Sequence, residues 1–350
     1  MKHNAKIVLF TFLIALGVYT SMNVKIKVNQ VSDMEYNLPD KYSGIFLSKH
    51  DQSLKPIFVK NLKLPKLKQN EVLVKVKAAS LGTIDRDLFS GKIQANANIP
   101  CFSFSGIVVA KHELVDNFYI SDEVYGKIEK DQNGACAEYV VVSSSQIALK
   151  PRTLNHFNAA AVPYSALISQ AIVNKLNLKQ GDAVFINEAL SGEGIMFTRF
   201  TEINKIKTIG RDSEEQKAYL KYIGVDTFFS KTENIPAEFN NSLNYIVDFS
   251  NEKNETDMLC KLLIKKGTLV TNHPVKSLSC KDKKILNLKE IEKEIDKNQL
   301  SQITTLFQSG QLTTSIEKVF SLKNFSPAYQ MLMSNKELNG KVIINISGKY

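Results

Sequence analysis

Between residues 42 and 142 the apolar positions come in short runs broken by Gly, Pro, Asn and Asp. Residues 44–48, 56–59, 71–77, 104–110, 123–125 and 137–142 read as strands. The 71–77 run alternates apolar and polar side chains, as a half-buried strand does. Many short strands of this kind predict a compact, barrel-like β domain. The pattern changes at Asn155. Residues 155–177 are rich in Ala and Leu and predict helix, with Pro163 starting a second segment because it cannot sit inside one. Strand and helix then alternate: strand at 183–186, helix at 195–203, strand at 206–209, helix at 213–223 with Ser213 as its cap. A strand at 244–248, a helix at 257–266 ended by Gly267, and a strand at 268–270 follow. This alternation predicts an α/β architecture with a doubly wound parallel sheet covered on both faces. The tail, with strands at 316–320 and 342–346 flanking a helix around Tyr329, reads as the first domain resuming. The expected organisation is therefore 42–154 plus 317–350 for one domain and 155–316 for the other, after a polar linker at 23–41.

Composition refines this picture. Lys2 and Lys6 precede an apolar stretch at 7–19, and Ala15 and Gly17 supply small residues. About a dozen apolar residues after a short basic region fit a signal peptide over residues 1–22, and with it the secretory pathway. An uncleaved membrane anchor through residues 7–22 is the alternative. The chain carries 45 basic and 35 acidic residues, a formal charge of +10. The basic residues are scattered among acids rather than gathered on one face with aromatics, which argues against nucleic acid as a partner. Cys101, Cys136, Cys260 and Cys280 are widely spaced with no C-x-x-C pair. That spacing speaks against a zinc knot. Buried free thiols are the simplest expectation, with one or two disulfides the alternative in an oxidising compartment.

Six stretches, taken in order, resemble the zinc-free quinone oxidoreductase branch of the medium-chain dehydrogenase/reductases. They are residues 70–80, 102–109, 121–126, 134–141, 159–163 and 340–344. The resemblance implies a GroES-like β-barrel domain interrupted by a Rossmann-type domain, with small-molecule substrate and nicotinamide in the cleft between them, and a homodimer. Zinc-dependent relatives place a Cys where this chain has Gly82 and a His-Glu pair where it has Phe102 and Ser103. These positions offer no donor set, so no metal is expected.

The dinucleotide loop falls at residues 187–194, between a strand and a helix, where small residues let backbone N–H groups approach a pyrophosphate. By resemblance, Ser191, Gly192 and Gly194 are the cofactor-binding candidates. Glu188 and Ser191 replace family glycines, and Glu193 replaces a small apolar residue. Two carboxylates near a phosphate site are unfavourable unless they point away or pair with a cation. At the end of the next strand, Arg211 favours the 2′-phosphate of NADP(H), while Asp212 keeps NAD(H) open. Gly82, Leu167-Ile168, Asp87 and Phe89 also depart from the family's cleft residues. Asp85 keeps the family identity, and its expected role is to cap a helical turn. The implied activity is zinc-independent, NAD(P)H-dependent reduction of quinones or α,β-unsaturated carbonyls, with no catalytic residue assigned. The rival is a pseudoenzyme of the same fold that binds or scaffolds, its nucleotide site weakened by Glu188, Ser191, Glu193 and Gly82.

Overall fold

Val72, Val74 and Val76 are buried while Lys75 between them is exposed, which gives the 71–77 segment the two-faced character its sequence predicts. The structure is a computed structural model describing residues 38–348 apart from 51–52, 93–97, 251–252, 297 and 335–337. The expected signal peptide and nearly all of the linker lie outside the described residues. A hairpin of β1 (Lys41–His50) and β2 (Ser53–Lys63) opens the described chain. It continues through β3 (Glu71–Leu81), α1 (Thr83–Phe89), β4 (Ser103–Lys111), β5 (Glu123–Lys127), β6 (Tyr139–Ser143) and β7 (Ile147–Leu149). The hairpin meets this body where the Ile45 N–H donates to the Cys136 carbonyl and the Glu138 N–H to Ser43. Two late strands, β14 (Ile316–Ser321) and β15 (Lys341–Asn345), enter the same seven-stranded sheet, with β15 antiparallel to β3. Ala78, Ala160, Ala161 and Ile343 pack where β3 and β15 meet the following helical segment. Small side chains there let the two segments approach closely.

The helical segment splits at Pro163 into α2 (His156–Ala160) and α3 (Pro163–Leu176), with the proline in the first turn, where its missing N–H costs nothing. A six-stranded sheet follows, built of β8 (Ala183–Asn187), β9 (Lys207–Asp212), β10 (Thr227–Ser230), β11 (Leu243–Asp248), β12 (Leu263–Thr271) and β13 (Lys284–Asn287). All pairs are parallel and the spatial order is β10-β9-β8-β11-β12-β13. This is the dinucleotide-fold order, reversing between β8 and β11. Val184, Phe185 and Ile186 at its centre are fully buried, beneath α4 (Gly192–Ile203) on one face and α6 (Thr256–Leu262) on the other. The remaining helices are α5 (Lys217–Tyr222), α7 (Leu288–Lys293), α8 (Gln299–Gln308) and α9 (Phe325–Met333).

The local pattern misleads at three places. The helix expected over 257–266 ends at Leu262, and β12 starts at Leu263. Leu262 and Leu263 are both buried, and Lys266 takes a left-handed φ of 64° just before Gly267, which a continuous helix forbids. Ser213 makes no side-chain cap; its own N–H donates to Asp212 Oδ1. The cysteines are paired, Cys101 with Cys136 and Cys260 with Cys280, at Cα separations of 5.3 and 5.2 Å. Both separations lie in the range a disulfide spans, so the free-thiol expectation gives way. Among the described residues no helix is long and apolar enough to cross a membrane.

Candidate functional site at the strand-order reversal

Open parallel sheets bind ligands beyond the C-terminal ends of their strands, where the order reverses. A cleft of about 410 Å³ opens at that point. The parallel sheet contributes the loop after β8, Asp212 at the end of β9, Lys231 just past β10, and Phe249 and Ser250 after β11. Leu81, Gly82, Thr83 and Arg86 face them from the barrel side, with Gly340 and Lys341.

The loop after β8 turns sharply. Glu188 holds φ at 59°, the left-handed region that favours glycine. The Leu190 N–H donates to Asp212 Oδ2 at 2.7 Å, which ties the loop to the next strand. Ser191 caps α4: its Oγ accepts the Gly194 N–H and donates to the Glu188 carbonyl, each at 2.9 Å. Gly194 is obligatory for this packing, because a Cβ there would stand 2.4 Å from the Glu188 carbonyl oxygen. Ser191, Gly192 and Glu193 line the cleft, so the positive end of the α4 dipole opens onto it.

Both loop carboxylates are paired. Glu193 Oε1 lies 2.8 Å from Lys341 Nζ, with both side chains 8% exposed, and Thr83 Oγ1 donates to Glu193 Oε2 at 3.1 Å. Burial by itself would raise the Glu193 carboxyl; the Lys341 ammonium and the hydrogen bonds outweigh it and hold the group below its ordinary range. Lys341 reaches this position by running past Gly192, where a Cβ would sit 2.5 Å from its Cε. Glu188 pairs with Lys231 Nζ at 2.5 Å, and the same ammonium is 3.7 Å from Asp212. Burial pushes Asp212 up to about 6, against the opposing pull of Lys231.

Of the predicted site residues, Ser191, Gly192 and Gly194 come together at the helix start. Arg211 does not join them. Its side chain is 8% exposed, donating to Asn187 Oδ1 at 2.9 Å and pairing with Glu255 at 2.8 Å, away from the cleft lining. Side chains alternate along β9, so Asp212 turns toward the loop and Arg211 toward the opposite face. The cation that does face the cleft at this end is Lys231.

A side recess of about 40 Å³ is lined by Thr83, Ile84, Asp87, Tyr164, Ile168 and Glu292, among others. It shares Thr83, Glu193 and Phe249 with the cleft. Asp85, which lines a small neighbouring gap with Tyr164 and Lys341, is buried, its carboxylate accepting the Gly82 N–H at 2.9 Å and the Cys101 N–H at 2.6 Å. Burial pushes it up to about 7. Asp85 thus closes the first turn of α1, though from the third helical position rather than the cap. Phe89 packs edge-on against Tyr329 at 5.0 Å, and Leu167 and Ile168 are core residues. Among the described residues no group of three His, Cys, Asp or Glu side chains converges as a metal site does.

Three lining residues escaped the sequence reading. Lys341 sits inside the family-like stretch 340–344 and Tyr164 follows 159–163 directly, so position alone flagged them. Lys231 carried no signal at all.

The fold defines an α/β protein in which a Rossmann-type parallel sheet is joined to a GroES-like barrel. Residues 68–152 match the alcohol dehydrogenase GroES-like domain family and residues 223–344 the zinc-binding dehydrogenase family, together more than half of the chain. The chain belongs to the medium-chain dehydrogenase/reductase superfamily, and within it is quinone-oxidoreductase-like. It is 24% identical over 348 residues to the mitochondrial NAD(P)H oxidoreductase RTN4IP1 of Dictyostelium discoideum, covering 86% of this chain and 99% of that one. To the 2-methylene-furan-3-one reductase of Solanum lycopersicum it is 27% identical over 195 residues, 51% of this chain and 50% of the relative. The structure of the quinone oxidoreductase from Coxiella burnetii superposes with a TM-score of 0.74 at 22% identity, covering 87% of this chain and 99% of that one.

Proposed function

We propose that this chain is a zinc-independent, NADP(H)-preferring reductase of quinones or α,β-unsaturated carbonyls. The observation that carries the proposal is a crevice with the dinucleotide-fold topology: the strand-order reversal, the Ser191-capped helix start and Gly192 meet at one 410 Å³ cleft. The Ser191–Gly192 backbone and the α4 dipole would receive the pyrophosphate, with Gly194 keeping helix and loop close. Lys231, in place of Arg211, would meet a 2′-phosphate. A bound nicotinamide supplies the hydride; the walls of the cleft hold the electron-poor carbon near it and limit water. Positioning of this kind accounts for much of the rate enhancement where no general acid is essential. The relatives' named activities, NAD(P)H oxidoreductase and 2-methylene-furan-3-one reductase, support the substrate class. The residues at the family's metal positions, Gly82, Phe102 and Ser103, support zinc independence. Elemental analysis should find no stoichiometric zinc, and one zinc per chain would refute that part.

Activity is tested by NADPH oxidation with 2-cyclohexen-1-one and with 1,4-naphthoquinone. Turnover of at least one supports the proposal, and neither substrate consuming NADPH sinks it. The pseudoenzyme reading keeps one observation in its favour: the two cleft lysines are engaged by Glu188 and Glu193. It predicts nucleotide binding only after both glutamates are replaced. Residues 1–22 would direct the chain into the secretory pathway or, as the mitochondrial location of the Dictyostelium relative suggests, another organelle. A fluorescent fusion of residues 1–30 separates these, and diffuse cytosolic signal would remove both.

A further inference from the structure

Arg86 stands in the last turn of α1 and lines the barrel side of the cleft of about 410 Å³. Its backbone is engaged on both sides. The N–H donates to the Gly82 carbonyl at 3.1 Å, and the carbonyl accepts the Ser90 N–H at 2.9 Å. Its side chain is not engaged. Among the described residues the guanidinium makes no ion pair and no hydrogen bond, and its Nε is buried without an acceptor. Nearly all buried polar atoms find a partner, so an exception asks for a reason. A cation in the last turn of a helix is favoured by the helix dipole. That benefit needs only the charge near the carbonyls and gives no reason to bury a donor unpaired.

The other charges of the cleft are matched. Glu193 pairs with Lys341 at 2.8 Å and Glu188 with Lys231 at 2.5 Å, while Asp212 lies 3.7 Å from the same Lys231. Asp87, next to Arg86 in sequence, lines the side recess and not the cleft. Arg86 is thus the cleft cation left without a carboxylate among the described residues. The barrel wall around it is apolar, with Leu81, Leu332, Met333 and Val342. The features suited to cofactor phosphates, the start of α4 and Lys231, belong to the parallel sheet instead.

An apolar wall with one unmatched guanidinium suits a molecule with an apolar body and an acidic group. A guanidinium presents paired N–H donors to a carboxylate and keeps its charge at any working pH. Resting on the reductase reading above, we propose that Arg86 is a specificity residue that selects anionic substrates, α,β-unsaturated carbonyl compounds carrying a carboxylate. With 4-oxo-2-pentenoate, the carbon β to the ketone gains hydride from NADPH and the alkene π pair shifts to form the enolate. A proton from water completes the other alkene carbon, leaving 4-oxopentanoate and NADP⁺. The carboxylate keeps its charge throughout, so Arg86 binds it alike before and during the reaction. Such binding is read in KM more than in kcat.

The test compares 4-oxo-2-pentenoate with its methyl ester, which keeps the skeleton and loses the charge, in wild type, Arg86→Met and Arg86→Lys. Acid and ester differ in intrinsic reactivity, so the quantity read is the acid-to-ester ratio of kcat/KM, compared between proteins. Arg86→Met should lower that ratio roughly tenfold to hundredfold, mainly by raising KM for the acid, and Arg86→Lys should recover part of it. The same ratio in wild type and Arg86→Met, with both compounds reduced, overturns the role of Arg86 and leaves the reductase standing. An unchanged ratio with a tenfold weaker NADPH Kd assigns Arg86 to a cofactor phosphate and also overturns it. A second measurement needs no turnover: titration with 4-oxopentanoate and with its methyl ester in the presence of NADP⁺. The acid should bind more tightly to the wild type, and Arg86→Met should abolish the preference. That result in a protein that reduces neither compound keeps the anion site and removes the reductase. Equal affinity of the wild type for acid and ester overturns the anion site outright.

Discussion

Arg211 shows how a residue picked out by type and spacing is redirected by the strand it sits on. Its identity and distance from the loop matched a 2′-phosphate reader, but the alternation of β9 turns it onto Glu255 and Asn187. Arg211→Ala should therefore act on stability. It strips charged and neutral acceptors of their donor at a largely buried site, at a cost of about 2–3 kcal/mol, read as a lower urea midpoint. The ratio of NADPH to NADH affinity should stay unchanged. Lys231→Ala should lower that ratio about tenfold or more; the reverse outcome would restore Arg211 as the reader. Asp85 supplies a pH signature. Its folded value, about 7, stands above the ordinary 3.8, so the folded state holds a proton the unfolded state has lost between those values. Wild-type stability from this group is fully present below about 4 and is lost as pH rises to about 7, then levels off. Asp85→Asn cannot titrate and loses one of two acceptor contacts, so its destabilisation should be largest near pH 4 and shrink toward pH 7. Denaturation at four or five pH values checks the slope, and a cost that grows with pH contradicts the assignment.

At the scale of elements, the interior strands of the parallel sheet were legible and its two edge strands were not. β8 and β11 announce themselves as continuous apolar runs because both of their faces are covered. β10 and β13 flank the sheet, are four residues long and bury only Ser230 among their positions, so their sequences carry no period to read. The start of α4 was half legible: the small residues were visible, but the partners of Glu188 and Glu193 lie 43 and 148 residues away in sequence. Only the assembled fold shows that the loop is neutralised. The Glu193–Lys341 pair, joining the helix start to β15, sets up a double-mutant test. Glu193→Gln leaves Lys341 buried without its counter-ion and should cost about 3–5 kcal/mol, as should Lys341→Met. The double variant should recover most of that loss, since it leaves no unpaired charge. Additive losses in thermal denaturation would mean that the pair does not act as a unit.

For the whole molecule, one disulfide ties the barrel and another the parallel sheet, with sequence separations of 35 and 20. Loops of that length correspond to about 3–4 kcal/mol of stabilisation each. Alkylation of the unfolded, unreduced chain should label none of the four cysteines, and reduction should expose all four and lower the melting temperature. Labelling without reductant would return the cysteines to free thiols. Disulfides generally need an oxidising compartment. Function rests on a narrower point: whether a cleft with the dinucleotide topology, but with carboxylates in its loop, still takes a nicotinamide cofactor. Calorimetric titration of the wild-type protein with NADPH and with NADH at low salt answers it directly. The predicted result is saturable binding of both, with NADPH about tenfold tighter or more. No heat from either nucleotide at millimolar concentration would contradict it and leave the pseudoenzyme as the better reading.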